Sequence, residues 1–109
     1  MSDKPIYVSF ANHKLEKDFE KLKEGKFEDK QLFEFITRAI TDLKNNPMCG
    51  VKIPRKLWPR GYIKNYQIKN LWKYDLPDGW RLIYSIFESE VIILNLILEW
   101  FPHKEYERM

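Results

Sequence analysis

Cysteine is almost missing from this 109-residue chain. Cys49 stands alone, which excludes an internal disulfide framework and a zinc site built on cysteines. A lone cysteine fits a reducing compartment. Histidine is scarce as well, with only His13 and His103. No His-x-x-x-His pair and no glycine-rich phosphate loop occurs, so neither a metal nor a nucleotide cofactor has a visible seat. None of Ser9, Ser85 or Ser89 lies in a nucleophile elbow. No apolar run approaches the length that spans a bilayer, and Met1-Ser2-Asp3-Lys4-Pro5 carries no apolar leader core. The expectation is a cytoplasmic protein with no membrane segment.

Negative charge is missing from one long stretch. Between Asp42 and Asp75 there is no acidic residue, while Lys44, Lys52, Arg55, Lys56, Arg60, Lys64, Lys69 and Lys73 are all basic. The net charge of +3 therefore understates how basic this block is. Trp58, Tyr62, Tyr66 and Trp72 are interleaved with the cations, a composition suited to holding a phosphate backbone and exposed bases together. The plainer reading is a solvated loop whose lysines keep the protein soluble.

What is present is enough for one core. Apolar residues make up 44% and charged residues 32% of the chain, so residues 1–109 read as a single domain that needs no staples. Ile6, Val8 and Phe10 alternate with Tyr7, Ser9 and Ala11 and predict a strand. Asn12 is placed to cap a following helix, in which Leu15, Phe19 and Leu22 share one face and which Gly25 ends. This helix reads as amphipathic and surface-lying. A second helix is predicted from Glu28-Asp29, with the apolar stripe Leu32, Phe35, Ile36, Ala39, Ile40 and Leu43, stopped by Asn45-Asn46-Pro47. That stripe is core before it is any cofactor site.

Residues 48–70 are broken by Gly50, Pro54, Pro59 and Gly61 and read as irregular, with room for one short helical turn over Arg60 to Tyr66. Strands are then expected over 71–76, 80–87 and 91–98, the first two joined by a tight turn at Asp78-Gly79. The last, apolar nearly throughout, reads as an interior strand covered on both faces. The order β-α-α-β-β-β describes an α+β domain, with helices packed on one face of a small, mainly antiparallel sheet. Trp58 reads as a partner contact and Trp100 as core rim.

The chemistry-bearing residues that remain are cationic and phenolic: Arg81, Tyr84, His103, Lys104, Tyr106 and Arg108. RNA cleavage needs no metal if a base takes the ribose 2′-hydroxyl proton, a fixed cation steadies the charged phosphorane, and an acid protonates the departing 5′-oxygen. Arginine suits the middle role, since its planar fork matches phosphate oxygens and its charge cannot be titrated away. The structural alternative pairs Arg81 with Glu99 or Glu105 and packs Tyr106 on the sheet rim.

The strand Trp80-Arg81-Leu82-Ile83-Tyr84 after a glycine turn, the Gly50-Val51-Lys52 approach and the terminal His103-Lys104-Glu105-Tyr106 resemble the RelE/ParE superfamily of type II toxin–antitoxin toxins. The resemblance covers nearly the whole chain. It implies a RelE-like fold and, in RelE-like members, ribosome-dependent mRNA cleavage in the A site without metal or cofactor. On that resemblance Arg81 matches the strand arginine that stabilises the transition state, and Tyr106 the tyrosine implicated in proton transfer. His103 and Lys104 fall in the segment that supplies a second catalytic base. Lys52, Arg55 and Lys56 match the basic stretch that grips RNA and ribosome, which Arg60 and Lys64 extend. The departures are Trp100-Phe101-Pro102, where a basic cluster is usual, and the longer loop from Trp58 to Tyr66. An antitoxin partner is implied, commonly an acidic segment that folds over the basic site. ParE-like members, which poison DNA gyrase, and a toxin fold without chemistry are the alternatives.

Overall fold

The computed structural model describes residues 4–102. Strand β1 (Ile6–Phe10) leads into helix α1 (His13–Lys21), a 3-10 turn (Leu22–Glu24) and helix α2 (Phe27–Asn45). A two-residue strand β2 (Val51–Lys52) follows, then helix α3 (Arg60–Tyr66) and strands β3 (Trp72–Asp75), β4 (Trp80–Glu88) and β5 (Ile93–Pro102). The five strands form one sheet in the order β1-β5-β4-β3-β2. Only β1 and β5 run parallel; every other pair is antiparallel. An α+β fold is what the alternating and 3.6-residue periodicities predict.

Local signals explain the boundaries. The Asn12 side chain accepts from the Leu15 amide at 2.8 Å and starts α1. Asp29, in the first turn of α2, accepts from the Lys26 amide at 3.2 Å, and its carboxylate sits near the positive end of the helix. The β3–β4 turn holds Asp78 at φ 60° and Gly79 at φ 79°, and the Leu76 amide closes it on the Trp80 carbonyl at 2.9 Å. Asp and Gly tolerate that left-handed backbone better than a branched residue would.

The helical hairpin packs on one sheet face. Leu32, Ile36, Ala39 and Leu43 of α2 meet Leu82, Tyr84 and Ile97, all at most 4% exposed. Each fully buried aliphatic side chain here contributes about 1.5–3 kcal/mol. Helix α1 adds Leu15 and Phe19 but has no fully buried residue, so it lies on the surface as its periodicity predicts. Buried Asn95 ties the layers, its Nδ2 donating to the Tyr7 and Leu43 carbonyls at 3.3 and 3.4 Å.

Helices do not keep to one face, and here the sequence expectation is corrected. The opposite face carries a second core of Ile53, Ile68, Leu71, Ile83, Leu98 and Phe101, covered by Tyr62, Ile63 and Tyr66 of α3. The basic segment is thus a lid of structure, with too short a period to read from pattern alone. Trp58 packs into that core and donates Nε1–H to the Ile53 carbonyl at 2.8 Å, so its expected role as a partner contact gives way to a structural one. Trp100 packs against Phe10 and Phe19, the core-rim place expected.

Strand boundaries also differ: those expected over 71–76, 80–87 and 91–98 are Trp72–Asp75, Trp80–Glu88 and Ile93–Pro102. β5 runs on through Glu99-Trp100-Phe101-Pro102 because Trp100 and Phe101 alternate, one into each core. A bulge at Ile83/Tyr84 shifts the β4–β5 register, pairing Ile83 with Glu99 and Tyr84 with Ile97. The unpaired Leu98 between them turns into the second core. β2 escaped notice because two residues carry no period.

Candidate functional site

Arg81 projects from the second position of β4, on the α3 side of the sheet that Ile83 shares. Its Cα partners are Asp75 on β3 and Phe101 on β5. The side chain is 16% exposed; Nε forms an ion pair with Asp75 Oδ1 at 2.9 Å, and Nη1 donates to the Trp80 carbonyl at 3.1 Å. A central strand and a carboxylate therefore fix the guanidinium plane. The sequence reading offered Glu99 or Glu105 as its structural partner; the structure supplies Asp75. Asp75 and Arg81 stand equally far from Asp78 in the hairpin, a symmetry readable from the turn.

Glu99 lies opposite Ile83, diagonal to Arg81 across β4 and β5, and accepts a hydrogen bond from the Tyr62 hydroxyl. Burial, then that hydrogen bond to Glu99, pushes the Tyr62 pKa up. Tyr62 thus stays protonated and serves as a donor, not a base. Tyr84, offered from sequence as part of the phenolic set, points to the other face. It donates to the Pro47 carbonyl at 2.6 Å and accepts from the Gly50 amide at 3.2 Å. Burial raises its pKa too. A Cβ on Gly50 would come within 2.7 Å of that hydroxyl and 2.5 Å of the Lys73 carbonyl oxygen, so only glycine allows the approach. Tyr84 is a structural latch.

The basic residues gather elsewhere. Lys52 faces Trp72, which faces Tyr84, so it stands two strands across and three residues along from Arg81, on the opposite face by parity. Its ammonium lies 5.9 Å from the Trp72 ring centroid, and the Arg55 guanidinium 5.1 Å from that of Trp58. Lys52 and Arg55 line one cleft of about 310 Å³ together with Lys69, which the basic block contained but the site assignment left out. Lys56, Arg60 and Lys64 are exposed. The structure joins Lys52 to Arg55 and sets Lys52 on the sheet face opposite Arg81. His103, Lys104 and Tyr106 lie outside the described residues. Among the described residues no group of three or more His, Cys, Asp or Glu could hold a metal, and no helix is long and apolar enough to cross a membrane.

A strand, a helical hairpin and a five-stranded mixed sheet, with an arginine near the start of its middle strand, agree with the RelE/ParE fold. Residues 11–98 match the family model described as ParE toxin of type II toxin-antitoxin system, parDE, and the chain belongs to that family. Comparison with curated proteins gave no match, and comparison with solved structures gave none. The chain is accordingly a toxin of a toxin–antitoxin system, and the family implies a cognate antitoxin.

Proposed function

We propose that this toxin is a metal-free, ribosome-dependent mRNA endonuclease that inhibits translation in the cytoplasm and is neutralised by its antitoxin. One observation carries the reading. The β4–β5 register sets Phe101 opposite Arg81 and Pro102 opposite Trp80, so the chain enters His103-Lys104-Glu105-Tyr106 within two residues of the arginine's own partner. In the reaction, a base from that motif takes the ribose 2′-hydroxyl proton and the 2′-oxygen attacks the adjacent phosphorus. The bond to the 5′-oxygen breaks, leaving a 2′,3′-cyclic phosphate, and an acid returns a proton to the departing oxygen. Arg81 meets the charge that builds on the phosphorane. Lys52, Arg55, Lys56, Arg60 and Lys64 hold the flanking backbone, and their contribution weakens with salt.

The test is cleavage of mRNA in a translating extract, mapped by primer extension, for wild type, Arg81→Ala and Tyr106→Phe. Discrete cuts that fall at least 100-fold with Arg81→Ala are expected. No cuts from a protein with a cooperative thermal melt would sink the proposal. A second reading, poisoning of DNA gyrase, draws on Asp75 and Glu99, two carboxylates on the Arg81 face that oppose an RNA phosphate there. Loss of gyrase supercoiling on adding the toxin identifies that case.

A further inference from the structure

On the α2 side of the sheet, a groove runs between α2 and the β3–β4 turn, its edge reaching Asp75, the ion-pair partner of Arg81. It consists of two adjoining hollows, of about 490 and 350 Å³, that share Phe35. The floor is apolar: Leu32 and Phe35 from α2, Leu76 and Pro77 from the turn, and Trp80 from the start of β4. Phe35 and Trp80 are only part-buried. Phe27, one helical turn before Gln31 on the same side of α2, is 77% exposed, far more than a phenylalanine with a packing partner would be.

The rim has the opposite charge to the protein. Glu28, Asp29, Glu34 and Asp78 line the groove, with Asp75, against a single cation, Arg38. Asp75 is matched by Arg81, which leaves a surplus of negative charge around an apolar floor in a chain of net charge +3. Repulsion among these carboxylates and the open floor are both relieved by one kind of occupant.

We propose that this groove docks a basic, amphipathic helical segment of the antitoxin, with aliphatic side chains on Phe35 and Trp80 and Lys or Arg at the acidic rim. Charge complementarity selects this occupant: a second copy of the chain would bring its own acidic groove or must present its basic face, and an acidic segment would be repelled. The antitoxin then carries charges of both signs, acidic where it meets Lys52 and Arg55 and basic here. The proposal rests on family membership and not on which target the toxin attacks.

The probe is a synthetic helix-forming peptide of about 16 residues, with leucine at i, i+3, i+4 and i+7 and lysine or arginine elsewhere. Its twin carries glutamate at every basic position. Binding is followed by fluorescence anisotropy and by backbone amide shifts. The basic peptide should bind and shift residues 31–38 and 76–80. Glu28→Lys with Glu34→Lys, both exposed on α2, should weaken it at least ten-fold, and Arg38→Glu should tighten it. Equal binding of the twin, shifts confined to the Arg81 face, or no binding would overturn the proposal. Self-association of the free protein that Glu28→Lys with Glu34→Lys abolishes would give the groove to a second copy instead.

Discussion

The two faces of the sheet are built by different means. On the α2 side, one 19-residue helix lays a continuous stripe on the strands, in which Leu32, Ile36, Ala39 and Leu43 are 0–4% exposed. On the α3 side, a broken segment with two prolines and a seven-residue helix covers the strands with part-buried Trp58, Tyr62, Ile63 and Tyr66. Hydrogen bonds hold that cover in place: Trp58 to Ile53, Tyr62 to Glu99, and Asn12 Nδ2 to the Tyr66 hydroxyl at 3.0 Å. The deep face stores stability, whereas the shallow one carries Arg81 and, over Trp58, Arg55.

That contrast is sharpest for matched substitutions. Ile36→Ala, in the α2 core, should cost about 4 kcal/mol in chemical denaturation, from lost burial plus the cavity left behind. Ile63→Ala in α3 should cost about 1–2 kcal/mol, because its side chain is already part-exposed. Equal losses would break the distinction between the faces.

Alkali tests the hydroxyl network that ties the layers. Tyr74 on β3 donates to Asp42 on α2; burial, then that hydrogen bond, pushes its pKa from 10 up to about 12. The folded state thus favours the neutral phenol. Its contribution is complete below pH 10, where both states are protonated, and is lost as pH rises from 10 through about 12. The melting temperature should fall across that window, and Tyr74→Phe should make the fall shallower. An unchanged slope in Tyr74→Phe would remove Tyr74 from the network. The smallest effect expected is Tyr62→Phe, about 1 kcal/mol, with faster amide exchange confined to α3. Exchange that quickens in α2 as well would mean the two covers open together.

How much of this could be read in the chain depends on period. α2 and β4 announce themselves because Leu32, Ile36, Ala39 and Leu43 repeat at helical spacing and Leu82, Tyr84 and Ile86 at strand spacing. Arg60 to Tyr66 leaves room for a helical turn, but seven residues hold too few apolar positions to fix the face on which α3 packs. Arg81 was found as a candidate. Its partner Asp75 does not show in residue types, because a cross-strand pair depends on hairpin register. Separation of Lys52 from Arg81 was invisible for a related reason: sequence order shows one basic block, and sheet parity divides it.

The parallel pairing of β1 with β5 joins Ile6 to Ile93 and Phe10 to Ile97, nearly opposite ends of the described chain. Contacts of such long sequence separation slow folding. On a ribosome, β1 must wait for β5 through on the order of ten seconds of synthesis. During that interval Val8 and Phe10 lack the strand beside them, and the sheet that positions Arg81 is incomplete. The sheet that positions Arg81 therefore cannot close until β5 has been made, and the delay gives an antitoxin already present time to meet the toxin as it folds.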